Sequence, residues 1–335
     1  MSDNSDVNDL FKVIRCEAGS PNEIANFLES YGNRHLKYPG DGNRNIGYIF
    51  RGEIDFPVPL QSSLEREWFS VNSGDECAAT ELLSFERNLL TEFMRDAPLI
   101  RGLAKEHQDQ RPELPHDQSV FEWLQLKQHY RTKTRFLDFT RRISIALYFA
   151  LEHYCQKCSK RDWKQNLTIY CFPCVDRCND GDDNKSPFRI TDGEPNMDLA
   201  IGGQMGLDCM KPHSETFGQR YCPAKQKQSF GWDCAHQTNP RLSFQEGMLA
   251  YPYEIDGVTV ERNKPSWFVR CLRMNPSDPF HLGPAKDGLP PLMIRIPEKS
   301  VGHILEYVQN VCSLTPAKVY LDYGRIGDCL RPSRS

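Results

Sequence analysis

Apolar residues recur at spacings of three and four residues in several parts of the chain, which is the pattern of one buried face of an α-helix. Residues 20–23 (SPNE) have the form of a capping box with proline at the first helical position, and residues 119–122 (SVFE) repeat the capping-box pattern. The sequence therefore predicts helices over residues 24–31, 76–96, 119–130, 142–154 and 299–311.

Short runs of β-branched and aromatic residues predict strands. These runs cover residues 46–50 (ended by Gly52), 167–172, 242–251, 267–272, 292–296 and 319–321. Residues 38–45 and 107–118 are polar or rich in Gly and Pro, and they predict loops. Because helices gather in the first half of the chain and strands in the second, the expected fold class is α+β with a mixed or antiparallel sheet.

The composition changes after residue 174. Residues 175–198 are acidic and rich in Gly, Asn and Pro, and residues 202–240 remain irregular, which predicts an exposed, loop-rich insertion at about 175–240. No stretch has the composition of a linker. The expected organisation is an N-terminal helical extension over residues 1–45 and a single domain over residues 46–330 that contains the insertion.

Composition and charge exclude several classes of protein. The 335 residues are 39% hydrophobic and 26% charged, as in globular proteins. No run of about 18 apolar residues occurs, so no membrane partner is expected. The formal net charge of −4 is unlike that of a wholly basic nucleic-acid binder. The first residues are acidic and polar, unlike a signal peptide, so the 13 cysteines predict reduced thiols and a cytoplasmic location.

Arg51 is the first candidate for ligand binding. It ends a predicted strand, and a guanidinium group fixed in that position suits a phosphate or a carboxylate. Gly52 beside it would let a ligand approach the backbone. A structural salt bridge between Arg51 and a carboxylate is the alternative, and the low specificity of so short a motif favours it.

Residues 128–140 (QHYRTKTRFLDFT) place many polar groups between two apolar runs. His129 and Tyr130 can donate hydrogen bonds to ribose hydroxyls or stack on a flat ring, and Asp138 can orient Arg135 or act as a base. A buried polar network that pins two helices is the alternative. Five cations in twelve residues keep a nucleic-acid ligand or acceptor open, although a solvated helix start with ion pairs also explains them: Arg131, Lys133, Arg135, Arg141 and Arg142.

Residues 241–247 (RLSFQEG) form a third polar cluster on a predicted strand. Gly247 permits close approach of a ligand to the backbone. Glu246 is a carboxylate that can stabilise an oxocarbenium-like centre. Considered by itself, Glu246 is better explained as an edge-strand charge.

Four cysteines have the spacing of a zinc ribbon. Cys155 and Cys158 form one Cys-x-x-Cys pair, Cys171 and Cys174 form a second, and twelve residues separate the pairs. This spacing predicts a structural zinc site. Free buried thiols are the alternative, because one pair ends a predicted helix, the other ends a predicted strand, and both belong to the main fold.

The polar clusters together resemble the FRG-domain family, named for a Phe/Tyr-Arg-Gly motif, over about residues 48–330 with the insertion excepted. Residues 50–52 (FRG) carry that motif, residues 63–66 (SLER) a Ser-Leu-x-Arg segment, and Glu86 and Phe93 a Glu-containing helix. The longest family signature, Gln-His-Tyr-Gly-x-x-Thr-Arg-x-Leu-Asp-x-Thr followed by Ala-Leu-x-Phe-Ala, corresponds to residues 128–140 and 146–150. Residues 241–247 match Arg-x-x-x-Gln-x-Gly. Arg131 and Lys133 replace the family's usual Gly and Pro, which makes this loop more basic.

The resemblance implies a fold like that of the ADP-ribosyltransferases, with a split sheet, and NAD as co-substrate. It implies that Arg51 binds the phosphates or the nicotinamide-side ribose, and that His129 and Tyr130 hold ribose or stack on nicotinamide. The catalytic carboxylate stays open among three candidates: Asp138, Glu246 and Glu86. The remaining cofactor contacts implied by the motifs are Gly52, Thr134, Arg135, Arg241 and Gln245.

The activity that the resemblance implies is ADP-ribosyl transfer to a protein or nucleic-acid acceptor, in a bacterial toxin or phage-defence setting. A nucleotide or nucleic-acid binding or sensing module that leaves NAD intact is the alternative. A phosphodiester nuclease ranks third, because the sequence has no acidic cluster for paired metal ions.

Overall fold

The computed structural model describes ten strands and six helices in the following part of the chain: residues 10–16, 20–32, 36–38, 41–54, 60–103, 123–124, 127–128, 132–157, 166–176, 230–234, 245–252, 258–274, 291–315 and 318–319. The strands are β1 (Lys12–Arg15), β2 (Leu36–Tyr38), β3 (Asp41–Ile54), β4 (Glu76–Ala78), β5 (Leu137–Thr140), β6 (Leu167–Asp176), β7 (Phe230–Cys234), β8 (Gly247–Pro252), β9 (Thr259–Glu261) and β10 (Leu292–Ile296). The helices are α1 (Pro21–Gly32), α2 (Ser63–Val71), α3 (Ala79–Leu103), α4 (Ile143–Lys157), α5 (Trp267–Met274) and α6 (Glu298–Glu306), and α6 continues into a π-helix (Tyr307–Val311).

Eight of these strands form one mixed sheet, so the fold class is α+β. The order is β1-β10-β6-β3-β5-β8-β7, and β2 pairs with β3 outside this path. β1 is parallel to β10, and the other neighbours are antiparallel. β3 is the central strand and pairs with β6 from Asn45 to Ile54. β4 and β9 form a separate two-stranded sheet.

Helices cover both faces of the large sheet. One core joins Phe50 and the other residues on its face of β3 to α1, α4 and α6. A second core joins Ile49 and the opposite face to α2, α3 and α5. Alternation of side chains along β3 therefore divides the core into two, and residues 49, 51 and 53 share the face of the second core.

Gly52 allows α4 to lie directly against β3. A Cβ built on Gly52 would lie 1.9 Å from the carbonyl oxygen and 2.7 Å from the carbonyl carbon of Ala146. Both atoms belong to the helix backbone, which cannot move aside as a flexible side chain can. The space beside the Gly52 Cα is thus filled by α4, whereas the sequence pattern predicted a ligand there.

Most helix predictions are confirmed. Helices are found at the predicted stretches 24–31, 76–96, 142–154 and 299–311, although residues 76–78 form β4 and the last helix ends as a π-helix. Ser20 Oγ accepts a hydrogen bond of 3.3 Å from the Glu23 N–H, as a capping box requires. Strand β10 has the predicted bounds, and β6 and β8 overlap the predicted segments but extend past them to residues 176 and 252.

The strand predicted at residues 267–272 is wrong, because this segment forms α5. Its aromatic and β-branched residues resemble a strand locally, but Ser266 begins a helix: its carbonyl oxygen accepts a hydrogen bond of 2.9 Å from the Arg270 N–H, and its Oγ accepts one of 3.3 Å from the Val269 N–H. Trp267, Phe268, Val269 and Cys271 are buried in the second core.

The expected concentration of strands in the second half of the chain is also wrong, since β1 to β5 all lie in the first half. Residues 41–45, predicted as loop, belong to β3, which pairs here with β2. Strand β7 lies inside the predicted insertion, yet it extends the sheet beside β8. Val319 is helical, with its N–H bonded to Thr315 O at 2.9 Å, so the strand predicted at residues 319–321 is wrong at this position. For β3 and β7, long-range pairing overrides a weak local signal.

The segment expected to be an N-terminal extension packs with the rest of the fold. β1 pairs with β10, and Ile24 and Leu28 of α1 are fully buried in the first core. β3 runs without interruption across residues 45 and 46, where the extension was expected to end. Among the described residues, no helix combines the length and the hydropathy needed to cross a membrane.

Candidate functional site

Arg51 lies on β3, and two hydrogen bonds hold its side chain. Its Nε donates a hydrogen bond of 2.6 Å to Glu53 Oε1, and its Nη1 donates one of 2.9 Å to the main-chain oxygen of Asp138. The side chain is 16% exposed. Nη2 has no hydrogen-bond partner within the described ranges. The salt bridge considered as the alternative for Arg51 is therefore present, and it fixes a guanidinium group that still has free donors.

Glu53 is a site residue that the sequence pattern did not reveal. It is 5% exposed, and its second oxygen accepts a hydrogen bond of 3.2 Å from the Leu60 N–H. Leu60 has a φ of 54°, in the left-handed region that non-glycine residues rarely adopt. Alternation along a strand could have placed residues 51 and 53 on one face, but only the fold shows that their side chains pair.

Arg66 lies beside this pair and was not assigned a function from the sequence. It is in the first turn of α2, and its Nη1 donates a hydrogen bond to Gln61 O. Arg66 is exposed by surface area, yet desolvation by its surroundings lowers the pKa of its guanidinium; the charge of Glu53 opposes this shift and that of Arg51 adds to it. The charge of Arg66 therefore interacts with those of Arg51 and Glu53.

A buried capping box fixes the start of α2. Glu65 is fully buried and accepts hydrogen bonds from Ser62 N–H at 2.8 Å, from Ser62 Oγ at 2.7 Å and from Trp267 N–H at 2.8 Å. Burial raises the pKa of this carboxyl, and the hydrogen bonds counteract the shift. The helix that carries Arg66 is therefore joined firmly to α5.

Thr134, expected to contact a cofactor, is fully buried and tied to its neighbours. Its Oγ1 donates a hydrogen bond to Gln128 Oε1, and its N–H donates one of 3.1 Å to Ser63 Oγ. Gln128 in turn donates from Nε2 to Asp138 Oδ2 at 2.6 Å. The polar density of this segment serves at least in part as a buried network that joins α2 to the segment before β5.

Arg135 and Glu86 form a buried ion pair. Arg135 Nε lies 2.8 Å from Glu86 Oε2, and their side chains are 6% and 0% exposed. The contact is not an aligned hydrogen bond, because neither of these two atoms has one, but the Arg135 main-chain N–H donates to Glu86 Oε1 at 2.9 Å. The partner of Arg135 is thus Glu86, where the sequence suggested Asp138. Burial makes Glu86 a poor candidate for contact with a substrate.

Glu246 is half exposed and has an unusual backbone conformation. Its side chain is 49% exposed and its φ is 47°. The main-chain oxygen accepts a hydrogen bond of 3.2 Å from the Arg141 N–H, and Arg142 Nε lies 4.0 Å from Oε1. Non-glycine residues in the left-handed region cluster at functional sites, where the surrounding structure holds them.

Gln245, expected to bind a cofactor, faces the protein interior. It is 5% exposed and donates from Nε2 to Val319 O at 2.9 Å. Its main-chain oxygen accepts a hydrogen bond from Thr140 Oγ1. Gln245 and Thr140 therefore fix the backbone on either side of Glu246.

The register of three strands brings these segments together. Phe50 of β3 pairs with Thr140 of β5, and Thr140 pairs with Gly247 of β8. This is the only residue pair that β3 and β5 share in the described chain, so the two strands separate beyond it. Arg51 and Glu246 each lie one residue from the Phe50–Thr140–Gly247 line.

Several predicted site residues lie outside the described ranges: His129, Tyr130, Arg241 and Cys158. Cys155 and Cys174 are described only as backbone positions of α4 and β6. Cys171 is a free, fully buried thiol, and burial raises its pKa. The described residues contain no group of three potential metal ligands. Zinc binding by these cysteines stays a prediction.

The part of the chain that contains Arg51 matches the model of a known domain family. Residues 47–159 match the model of the FRG domain. This part of the chain contains Arg51, Arg66, Glu86 and Asp138, so the family resemblance read from the motifs is confirmed here. No curated protein and no solved structure matches the chain. The likeness of the FRG domain to the ADP-ribosyltransferase fold stays a prediction.

Proposed function

We propose that this FRG domain is an NAD-dependent ADP-ribosyltransferase that modifies a protein or nucleic-acid acceptor. The strand register is the observation that carries the proposal: Phe50, Thr140 and Gly247 lie on one line across β3, β5 and β8. Arg51 and Glu246 flank that line two strands apart, which corresponds to roughly 10–12 Å between their Cα atoms. A fixed cation and an accessible carboxylate at such a separation can act on different parts of one dinucleotide.

Arg51 would bind the diphosphate of NAD. Its contacts with Glu53 and Asp138 O hold the guanidinium group before a ligand arrives, so little side-chain freedom remains to be lost on binding. Nη2, free of partners within the described ranges, would donate to a phosphate oxygen. Charge-assisted hydrogen bonds of this kind are among the strongest in proteins.

Glu246 would be the carboxylate that acts on the ribose. Its half-exposed side chain can reach a ligand, whereas Glu86 is fully buried against Arg135, and Asp138 accepts a hydrogen bond from Gln128. In the reaction, the bond between ribose C1′ and the nicotinamide nitrogen breaks, and nicotinamide leaves with the electron pair. The negative charge of Glu246 would stabilise the ribosyl cation that forms.

The acceptor completes the transfer. Its oxygen or nitrogen attacks C1′, and its proton passes to the Glu246 carboxylate as the new glycosidic bond forms. Arg141 and Arg142 precede α4 beside Glu246 and would bring an anionic acceptor close. The family setting would make this protein an effector of the toxin or phage-defence kind.

Binding without turnover is the second candidate function, and one observation favours it. The carboxylates nearest Arg51 are already engaged: Glu53 pairs with Arg51 and Leu60 N–H, and Asp138 accepts a hydrogen bond from Gln128. A site in which only Glu246 is accessible could hold a nucleotide or a nucleic acid without cleaving it.

The test is incubation of the purified protein with NAD and cell lysate, following nicotinamide release and transfer of labelled ADP-ribose. Glu246→Gln keeps the shape of the side chain but removes its charge, so it should bind NAD and release almost no nicotinamide. Glu298→Gln, at an exposed position of α6, is the matched control and should behave as wild type. Wild-type protein that binds NAD and leaves it intact in every lysate fraction would establish the binding module instead.

A further inference from the structure

Arg66 has no role in the function proposed above, yet a series of hydrogen bonds links it to Arg51. Glu53 receives Arg51 Nε on one oxygen and Leu60 N–H on the other. The next residue, Gln61, accepts the hydrogen bond from Arg66 Nη1. A continuous series of contacts therefore leads from one guanidinium group through Glu53 to the other.

The two arginines differ in exposure and in the number of hydrogen bonds that their side chains make. Arg51 is 16% exposed and makes two hydrogen bonds. Arg66 is exposed, and among the described residues its side chain donates one hydrogen bond, to Gln61 O. Glu53 forms no ion pair with Arg66 within 4.0 Å. Arg66 thus keeps most of its donors available to a ligand.

We propose that Arg51 and Arg66 together form a two-arginine site that binds the diphosphate group of a nucleotide. Arg51 supplies a fixed, partly buried donor and Arg66 an exposed one, so that each guanidinium group takes one of the two phosphates. Two guanidinium groups match the two phosphates of a diphosphate, each of which carries one negative charge in a dinucleotide. The identification of NAD as the source of the diphosphate rests on the proposed function; the diphosphate site itself does not.

Glu53 gives the site a property that a simple basic patch lacks. Its carboxylate already neutralises part of the charge that the ligand would meet, so removal of that charge should strengthen diphosphate binding. Removal of the Arg66 charge should weaken it. Two neighbouring substitutions with opposite effects are not expected from a loss of folding, which weakens binding in both cases.

Calorimetric titration with inorganic pyrophosphate tests the site without any turnover. Arg66→Gln should weaken binding at least about tenfold, the loss expected for one charge-assisted hydrogen bond. Arg66→Lys keeps the positive charge but lacks the planar guanidinium group, so its affinity for pyrophosphate should lie between those of wild type and Arg66→Gln. Arg95→Gln is the matched control, because Arg95 is a 70% exposed arginine of α3, and its affinity should equal that of wild type. Glu53→Gln should bind more tightly than wild type.

The outcomes separate this inference from the proposed function. Loss of pyrophosphate affinity in Arg66→Gln together with intact NAD in the wild-type assay would support the diphosphate site and reject the transferase. Wild-type protein that does not bind pyrophosphate at millimolar concentration would overturn the inference. The inference would also fail if the affinity of Arg66→Gln for pyrophosphate were within about twofold of wild type, or if Arg95→Gln lost as much affinity. It would fail as well if Arg66→Gln lost affinity for a single-stranded oligonucleotide but not for pyrophosphate.

Discussion

Arg51 Nη1 donates a hydrogen bond of 2.9 Å to the main-chain oxygen of Asp138, just beyond the point where β3 and β5 stop pairing. In a continuous sheet this oxygen would accept a hydrogen bond from the neighbouring strand. Here a side chain takes that place, because buried backbone carbonyls need a partner. Arg51 therefore joins two separating strands and at the same time presents its remaining donors at the gap between them.

Arg51→Lys should destabilise the protein as well as weaken nucleotide binding. A lysine keeps the positive charge but cannot reach Glu53 and Asp138 O with two separate donors. The expected loss is about 1.5–3 kcal/mol in the free energy of unfolding, the range for hydrogen bonds of charged groups. Urea unfolding without ligand measures this effect. Arg95→Lys, at an exposed position of α3, should unfold as wild type does. An Arg51→Lys protein as stable as wild type would show that the two hydrogen bonds of Arg51 do not stabilise the fold.

Gly52→Ala should be severely destabilising. The new Cβ would lie 1.9 Å from Ala146 O, so α4 would have to move away from β3, at a cost above about 3 kcal/mol. Gly302→Ala is the matched control in α6, where a Cβ meets no atom within 4 Å. That change should stabilise the helix by about 0.5–1 kcal/mol. Thermal unfolding of both variants gives the comparison, and a Gly52→Ala protein with an unchanged melting temperature would contradict the observed packing.

Local sequence patterns were sufficient where an element depends on its own residues. The capping residues and apolar spacing of α1, and the buried run of β10, predicted those elements correctly. The pattern failed for α5, whose first N–H is bound by Glu65, 202 residues earlier in the chain. A contact at such a distance leaves no mark on local periodicity.

The candidate site shows the same limit. Arg51 was found because its motif is local, and its free donors agree with ligand binding, which stays a prediction. Glu53 and Arg66 were missed as site residues because their significance comes from Leu60 and Gln61, which bring the start of α2 to β3. Glu86 was considered as a catalytic carboxylate because the sequence could not show that Arg135, 49 residues away, buries and neutralises it.

Breaking the Glu86–Arg135 pair should cost far more than replacing it. Glu86→Leu or Arg135→Met alone leaves a buried charge without a partner, which typically costs about 3–5 kcal/mol. The double variant removes both charges and should recover a large part of that loss. A double-mutant cycle by urea unfolding measures the coupling. Additive losses would show that the two residues act independently.

A second ion pair provides the control for this cycle. Arg270 Nη2 lies 2.7 Å from Glu261 Oε1, but these side chains are 27% and 36% exposed. Water therefore competes for both charges, and the coupling of this pair should not exceed about 1 kcal/mol.

Lys127 should make stability depend on pH in the alkaline range. It is 2% exposed, its Nζ donates to Lys133 O at 2.7 Å, and burial lowers its pKa to about 8 from 10.5, with Glu86 and Glu92 opposing the shift. Between these values the unfolded chain binds more protons at Lys127 than the folded one, so stability rises with pH there. Below about pH 8 both states are protonated and the destabilising effect of the buried charge is fully present.

Lys127→Met isolates this effect, since methionine is similar in length but does not titrate. The stability of wild type relative to Lys127→Met should increase from about pH 8 to about pH 10.5 and stay constant between pH 6 and pH 7. Lys299→Met, at an exposed position of α6, should give a curve parallel to that of wild type. Chemical unfolding at each pH provides the measurement. If wild type and Lys127→Met keep a constant difference up to pH 10.5, Lys127 does not lose its proton in the folded protein, and the polar segment before β5 then contains a buried lysine that stays charged.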